Sequence, residues 1–598
     1  MAIKYSTINS FKGYRRREDK TNMPAGYLVE GSQNVLSNIS ERISARKGYT
    51  IDGQENTSIT DGGIVGSFTW KNHLGYERVL RWWDDKIEYR YNVNGTIEWR
   101  TLVSGLSSVQ INSDLFWDET DLEDRWMFVN GDSNIRWWNG AVAEVASNTA
   151  TTITKSGSST WANEGFNTTG SFVYNGTTYA YTGGSGTTTL TGVTPALPTI
   201  TVGEPVSSSI ESIANSSTTG LPAAFHNDLI CISKNQIYLG SFVERNIYIS
   251  KVSSYTDWSF ATPRVVGEGA LLTLDATPVA MVVQEDVVHI SAGEDYWYKV
   301  KFTLSSDNAN EALNIEPLKF ARKQGAVSQA FVTKIKNKVA VLTNEVSFDL
   351  LGRVENITAT QELEDISDSI RVEVDNTDFT GGSAAYHRNF IYLSAPAQSK
   401  VLIYNMEKKF WEAPQILPVG SFQIIGGELY GHDPNIPQTY KLFNGNTDNG
   451  NPIDSRAVFS YQSFGDRENR KSFNVFYVEG YIAMSTTITA ILRYDYEGCK
   501  GLVQLPIKAT NMSMVCQAGT DTNSLGKKSL GQYSIGGNTE IVAATLLPKF
   551  RYHKQMAKKD FFEIQVEFRS NEIGYEWELL AYGFAVGLST SDPVFNMS

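Results

Sequence analysis

From Ser67 onward the chain keeps returning to one texture: a short run rich in aromatic and β-branched residues, a polar turn, and another such run. Ser67-Phe68-Thr69-Trp70 is followed by Val79-Leu80-Arg81-Trp82-Trp83, a turn at Asp84-Asp85, and Lys86-Ile87-Glu88-Tyr89-Arg90-Tyr91. A second turn at Asn94-Gly95 leads into Thr96-Ile97-Glu98-Trp99. Aromatic and β-branched side chains fit a pleated sheet, and Asn-Gly accepts the left-handed backbone that a two-residue hairpin turn needs. The texture returns at Trp126–Val129 and Ile135–Trp138, and again at 227–250, 287–300 and 338–349. Its clearest copy is Asn389–Ser394, Lys400–Asn405 and Lys409–Glu412, with Glu428–Gly431 and Gln438–Phe443 opening the next unit. Three or four strands in roughly 40–50 residues is the spacing of propeller blades. The sequence therefore predicts an all-β chain built on a β-propeller.

Two stretches break the pattern. Between 150 and 206 Thr, Ser and Gly replace the tryptophans, yet Phe172-Val173-Tyr174 and Thr177-Thr178-Tyr179-Ala180-Tyr181 flank Asn175-Gly176, which predicts an ordered hairpin. This stretch reads as a small inserted β-domain. Toward the C-terminus Phe473–Gly480, Thr487–Tyr494 and Phe562–Phe568 alternate apolar and polar residues, which predicts a β-sandwich with one wet face. The expected division is an arm and first strands over 1–50, propeller over 51–149 and 207–454, the insert over 150–206, and the sandwich over 455–598.

Composition narrows the function. The 598 residues include 65 acids against 52 bases, a formal charge of −13, which argues against tight binding to a phosphate backbone. Cys231, Cys499 and Cys516 show no CxxC spacing, so neither a disulfide framework nor a cysteine zinc site is expected. Met1–Ser6 lacks the apolar core of a signal peptide, and no stretch approaches the ~18 apolar residues of a membrane span. A soluble protein made in a cytoplasm is expected.

The search for chemistry is negative. His73, His226, His289, His387, His432 and His553 show no metal-ligand spacing, and no G-x-S-x-G elbow is present. Gly519–Ser529 has the glycine and lysine content of a phosphate loop without its spacing. Acid pairs such as Asp84-Asp85 and Glu294-Asp295 fit turns. No catalytic, cofactor-binding or metal-binding residue is assigned, no cofactor is expected, and the chain reads as non-enzymatic. The one local charge exception is the basic run from Lys12 to Lys20, in which Tyr14, Arg15, Arg16 and Arg17 form the candidate assembly contact.

Four segments together resemble a family. Gly31-Ser32-Gln33-Asn34-Val35-Leu36 followed by Arg46-Lys47-Gly48-Tyr49 looks like the opening of tail nozzle and tail hub proteins of short-tailed bacteriophages, which usually carry Pro where Lys47 stands. Tyr179–Gly184 and Thr187–Val193 resemble small β-modules of phage structural proteins. The Leu/Ile-Gly period at Leu525-Gly526, Leu530-Gly531 and Ile535-Gly536, and the terminal Phe561–Val566, are similar to C-terminal regions of phage tail proteins. The resemblance implies a virion structural component: a hexameric ring below portal and adaptor that extends the DNA channel, retains packaged DNA and passes it on ejection. Its implied partners are further copies of itself, adaptor or portal-proximal proteins, tail-fibre or tail-tip proteins, and double-stranded DNA in transit. The channel wall would be acidic or mixed, with the Arg15–Arg17 run away from the bore. A host-surface glycan-binding or depolymerising tail protein is the alternative.

Overall fold

The computed structural model describes residues 4–17, 23–37, 42–55, 62–93, 95–108, 110–260, 266–285, 287–304, 311–319, 324–336, 338–352, 363–465, 467–483, 486–495, 502–508, 549–572 and 576–588. Asn94, Cys499, Cys516, the Leu/Ile-Gly period and the basic run beyond Arg17 lie outside them. The chain is all-β: among the described residues the longest helix is the five-residue Arg371–Asp375. It divides into two compact units, Ile51–Val401 with Leu417–Leu442, and Met1–Thr50 with Leu402–Ile416 and Phe443–Ser598.

The larger unit is a succession of small antiparallel sheets. The first is the meander Ile64–Lys71, Glu77–Trp83, Lys86–Val93 and Thr96–Val103. The second joins Asn112–Asp118, Glu123–Val129 and Asn134–Trp138 to Glu211–Ala214. The third runs from Leu229 to Thr273, the fourth from Pro278 to Lys319 and the fifth from Val332 to Asp365, each with four strands. The sixth begins Ala384–His387, Phe390–Ala395, Lys400–Asn405, and the boundary between the units falls within that third strand. The seventh is Ser421–Ile425, Glu428–His432 and Thr439–Lys441, completed by Thr50–Asp52 from the other end of the unit.

Local chemistry sets the hairpins. Asp84, at φ +52, turns Trp83 back onto Lys86. Lys234-Asn235, Arg388-Asn389 and Gly426-Gly427 are all left-handed and join the first two strands of the third, sixth and seventh sheets. Two left-handed residues give the turn whose twist matches the flanking strands.

Successive sheets pack face to face. Trp70, Leu80, Trp82 and Tyr89 of the first meet Trp126, Phe128 and Trp138 of the second in one buried layer. Within it Trp70 stacks on Trp126 at 6.3 Å and meets Trp138 edge-on at 5.6 Å. Phe116, Met127 and Trp137 meet Ile230, Ile237 and Leu239 between the second and third sheets, and Ile247, Ile249 and Leu272 meet Met281, Val288 and Ile290 between the third and fourth. Val79 of the first sheet packs on Ile425 and Tyr430 of the seventh. Eleven of the 13 tryptophans are buried in this way or within the other sheets.

The insert is larger than its composition suggests. Its six-stranded sheet includes Val142–Asn148 and Pro205–Ser208 as central strands, so it spans 142–208 rather than 150–206. Val142–Asn148 lacks the Thr/Gly bias and reads as part of the preceding texture, but Ala143 and Val145 belong to the insert's own core with Trp161, Phe166, Phe172 and Leu190. Asn139 stands at the junction with every bonding position filled. Its Nδ2 donates to Gly165 O at 2.8 Å and Glu123 Oε2 at 3.1 Å, and its Oδ1 accepts from Ala141 N and Ser208 Oγ.

The smaller unit also departs from the expected division, because 1–50 is not a separate arm. Lys4–Ile8 and Ile43–Ala45 both pair with Trp577–Leu588, which pairs in turn with Lys471–Ile482. A four-stranded sheet, Ser455–Val458, Ile564–Ser570, Thr487–Tyr494 and Leu502–Lys508, faces these strands. The layer between them is aromatic: Phe568 lies 5.5 Å from Tyr582 and 6.4 Å from Phe476, and Phe459 lies 4.9 Å from Tyr582.

These boundaries make a deletion test. Trp137 pairs with Glu211, so a short Gly/Ser turn bridges the strands flanking the insert. Replacing 141–209 by such a turn should leave one cooperative thermal transition. Replacing only 150–206 should strand Ala143 and Val145 without their core and lower the melting temperature or the soluble yield. Calorimetry of the two variants decides, and equal behaviour would refute the 142–208 boundary.

Candidate functional site

The candidate assembly contact is partly folded into the smaller unit. Tyr14 is 3% exposed, its N–H donates to Trp411 O at 2.7 Å, and it bridges Leu28. Gly13 beside it adopts φ +83, and a Cβ there would meet the Phe410 ring at 2.3 Å. The Arg15 guanidinium lies over the Tyr27 ring at 5.5 Å, and Arg16 pairs with Glu30 at 2.7 Å. Tyr14 is thus a core residue of the smaller unit, Arg15 and Arg16 are engaged within the chain, and Arg17 is exposed. Local charge density carried no information about the ring of Tyr27 or the carboxylate of Glu30, which are brought up by tertiary folding.

The segments around Asn34 and Arg46 form one bonded knot. Arg46, 3% exposed, grips Asp448 with both Nη atoms at 2.6 Å, donates from Nε to Asn34 Oδ1 at 3.1 Å and from Nη2 to Ile416 O at 2.8 Å. Asn34 Oδ1 also accepts from Ile416 N, and its Nδ2 donates to Asp454 O at 2.9 Å. Gly48 passes so close to Thr447 that a Cβ would lie 1.8 Å from its carbonyl oxygen. Arginine alone offers a planar fork plus a third donor for this arrangement.

In the larger unit, edge strands of several sheets converge on a cavity of about 870 Å³. Ser67 comes from the first sheet, Asn112 from the second, Ala384 from the sixth, and Ser421 and Phe422 from the seventh, with the 327–331 loop before the fifth. The wall carries hydroxyls and amides, and Asp378 is its one charged group among the described residues. Thr380 N–H donates to Asp378 Oδ1 at 3.0 Å, and that bond with the Thr380 hydroxyl holds the carboxyl below its usual range. Ser421 is buried at the cavity wall, and its Oγ has no hydrogen-bond partner. Further along the same strands lies a second cavity of about 500 Å³, where Gln423 donates to Phe68 O, Leu80 O and Thr69 Oγ1. Neither Asp378 nor Ser421 stood in a recognisable motif. The Asp-x-Thr-Gly turn at 378–381 was the one available signal.

The titratable groups with strong shifts lie elsewhere. Burial holds His289 and His432 down at about 3, neutral within their strands. Burial raises Asp114 and Asp349 to about 6 and Glu412 to about 7. Asp114 Oδ2 accepts from Ile232 N at 2.7 Å, which ties the second sheet to the third. Glu412 accepts from the Ser37 amide at 2.8 Å and its hydroxyl at 2.7 Å. None of these five residues lines the two cavities above. Of the acid pairs, Asp84 and Asp85 occupy a hairpin turn, and Asp85 accepts from Gly105 N. Among the described residues no cluster of His, Cys, Asp and Glu is arranged to hold a metal ion, and no helix is long and apolar enough to cross a membrane.

No protein-family model matches the chain, and no curated protein matches it significantly. Among solved structures, the computationally designed Ika8 protein aligns at 9% identity and a TM-score of 0.33, covering 66% of this chain and 99% of its own. Saccharomyces cerevisiae Sqt1 aligns at 10% identity and a TM-score of 0.33, covering 69% and 100%. BBS1N, from its complex with ARL6DN, aligns at 9% and 0.30, covering 67% and 99%. At these values nothing about activity or partners is transferred.

Two measurements check the smaller unit. Arg46→Met should lose about 3–5 kcal/mol in urea unfolding, because Asp448 and the Asn34 amide keep their burial and lose their partner. A loss under about 1 kcal/mol would show that the knot does not brace the unit. Glu412 should make stability depend on pH. Its carboxyl binds a proton more tightly folded than unfolded, so stability falls as pH rises from about 4.5 through about 7, and stays at its lower level above. Glu412→Gln should match the wild type near pH 5 and exceed it near pH 8, by on the order of 2–3 kcal/mol. Parallel pH profiles for the two proteins would refute this.

Proposed function

We propose that this chain is a structural component of a bacteriophage virion tail, a nozzle or hub ring that extends the DNA channel below portal and adaptor, retains packaged DNA and passes it on ejection. Its architecture in this reading is a seven-bladed β-propeller with a β-domain inserted in the second blade and a C-terminal β-sandwich that takes in the N-terminal strands. The propeller rests on the face-to-face order of the seven sheets and on Thr50–Asp52, which completes the seventh sheet from the strand preceding the first.

The observation that carries the functional reading is the Asn34–Arg46–Asp448 knot. The residues on which the resemblance to tail nozzle and hub proteins rests, Asn34, Arg46 and Gly48, are bonded or closely fitted parts of one element. They brace a scaffold. A net charge of −13 suits a wall past which a duplex slides without releasing many counterions.

Particle imaging tests this reading. Antibody-gold against the chain should mark one tail vertex of purified virions, and the averaged density there should be a closed ring of about six copies with a continuous lumen. Absence of the chain from particles, or separate trimers at fibre tips, would overturn it.

A further inference from the structure

Charge is divided unevenly between the two units. The residues of the larger unit include 43 acids and 26 bases, and those of the smaller unit 22 acids and 26 bases. The net charge of −13 thus combines a strongly acidic unit with a mildly basic one.

The basic surplus gathers on one strand. Lys549–Phe561, KFRYHKQMAKKDF, holds five bases against one acid. It is the last strand of its sheet and pairs with Lys471–Ile482 alone among the described strands, so its other backbone edge is open. Lys549, Arg551 and His553 alternate onto one face, Lys554 emerges on the other, and all four are exposed. Arg551 pairs with Glu479 and His553 stacks on the Tyr477 ring at 5.8 Å, whereas among the described residues Lys549 and Lys554 pair with no carboxylate. A lysine or two blunts an edge strand against pairing with its like. Five bases on one strand also repel one another, a cost that an anionic partner removes.

The larger unit carries a complementary edge. Residues 362–378 hold seven acids and one base, Arg371. Leu363–Asp365 is the last strand of the fifth sheet and pairs with Phe348–Leu351 alone among the described strands. Glu364, Asp365, Asp368, Asp375 and Asp378 are exposed. Arg371 stands 3.7 Å from Asp365 and 3.5 Å from Asp375, and Lys338 3.6 Å from Glu364, loose surface contacts that hold little of the carboxylates' charge.

A basic strand suits either a nucleic acid or an acidic protein surface. The larger unit decides between them, because its surplus of acids repels a phosphate backbone while it attracts the basic strand of another copy. We infer that the edge strand Lys549–Phe561 of one copy docks on the acidic edge at 363–378 of a second copy, head to tail. The inference rests on the reading of the chain as a ring subunit and names the surfaces at which subunits would meet. Unlike surfaces meeting head to tail repeat from copy to copy, which is how a ring closes. Complementary charge of this kind selects partner and register, and salt weakens it.

Sedimentation velocity of the purified full chain tests it. The wild type should sediment as an oligomer at low salt, and its apparent dissociation constant should rise about tenfold or more between roughly 50 and 500 mM sodium chloride. Lys549→Glu with Lys554→Glu, and separately Glu364→Lys with Asp375→Lys, should each give a monomer with an unchanged melting temperature, since all four positions are exposed. Mixing the two variants should restore an oligomer, because each supplies the charge the other has lost. A wild type that stays monomeric at micromolar concentration, or a mixture that stays monomeric, would overturn the inference. Variants that assemble like the wild type would overturn this contact and leave the ring standing. Lost binding to a DNA duplex with assembly intact, in Lys549→Glu with Lys554→Glu, would assign the strand to nucleic acid and overturn the contact equally. The full expected pattern, with the chain absent from virions, would support the contact and sink the tail assignment alone.

Discussion

A sheet of four short strands with apolar residues on both faces has no stable existence alone, and the larger unit depends on how that demand is met. Of its seven small sheets, the first four each pack on two neighbouring sheets. The first and last sheets would each be left with an unpaired face unless they meet. Val79 against Ile425 and Tyr430 supplies the apolar part of that meeting. The polar part is unusually dense: Gln423 reaches three acceptors on the first sheet, and Arg81 holds Glu88 at 2.8 Å while donating to Thr439 at 3.1 Å. Apolar faces meet in many registers, whereas a buried amide or guanidinium is satisfied in one, so the polar groups fix how the seam closes.

The same logic governs the other buried charges. Arg125 is enclosed by Asp118, Asp121 and Glu123, with its guanidinium 3.9 Å above Trp137 and 4.3 Å from Tyr255. Glu123 in turn accepts from Asn139, which holds the insert. The ionic interior of the second sheet and the anchoring of the inserted domain are one network. Arg46 with Asp448 is its counterpart in the smaller unit. Charges used in this way are not available for proton transfer or metal ligation. The most strongly shifted groups accordingly lie among paired strands, and the larger cavity is lined by neutral groups and one carboxylate.

Parts of this were legible in the residues. Asp84-Asp85 and Asn175-Gly176 are turns because their types accept left-handed backbone, and the strands flanking them follow by alternation. A stronger signal was available in Lys234-Asn235, Glu285-Asp286, Lys336-Asn337 and Arg388-Asn389, which recur at steps of 51, 51 and 52 residues. It marks the period of the sheets more sharply than the aromatic texture. The limits of the insert were not legible, since Val142–Asn148 has the composition of the sheet before it and the packing of the sheet after it. Tyr14 misled for a related reason: a basic neighbourhood in sequence predicts exposure, and the partners that bury Tyr14 lie as far away as Trp411.

Residue types and their alternation by themselves determined that the chain is β throughout, where its hairpins turn, and that no motif for metal or nucleophilic chemistry is present. These are local properties, set by the conformations each residue accepts and by which side chains share one strand face. Tertiary structure alone decided which sheet meets which, that the N-terminal strands belong with the C-terminal ones, and that Ser421 and Asp378 face one cavity. Those outcomes depend on contacts between residues tens to hundreds of positions apart. Many pairings of similar apolar faces bury comparable area, and the choice among them rests on the few buried polar groups that are satisfied in one arrangement only.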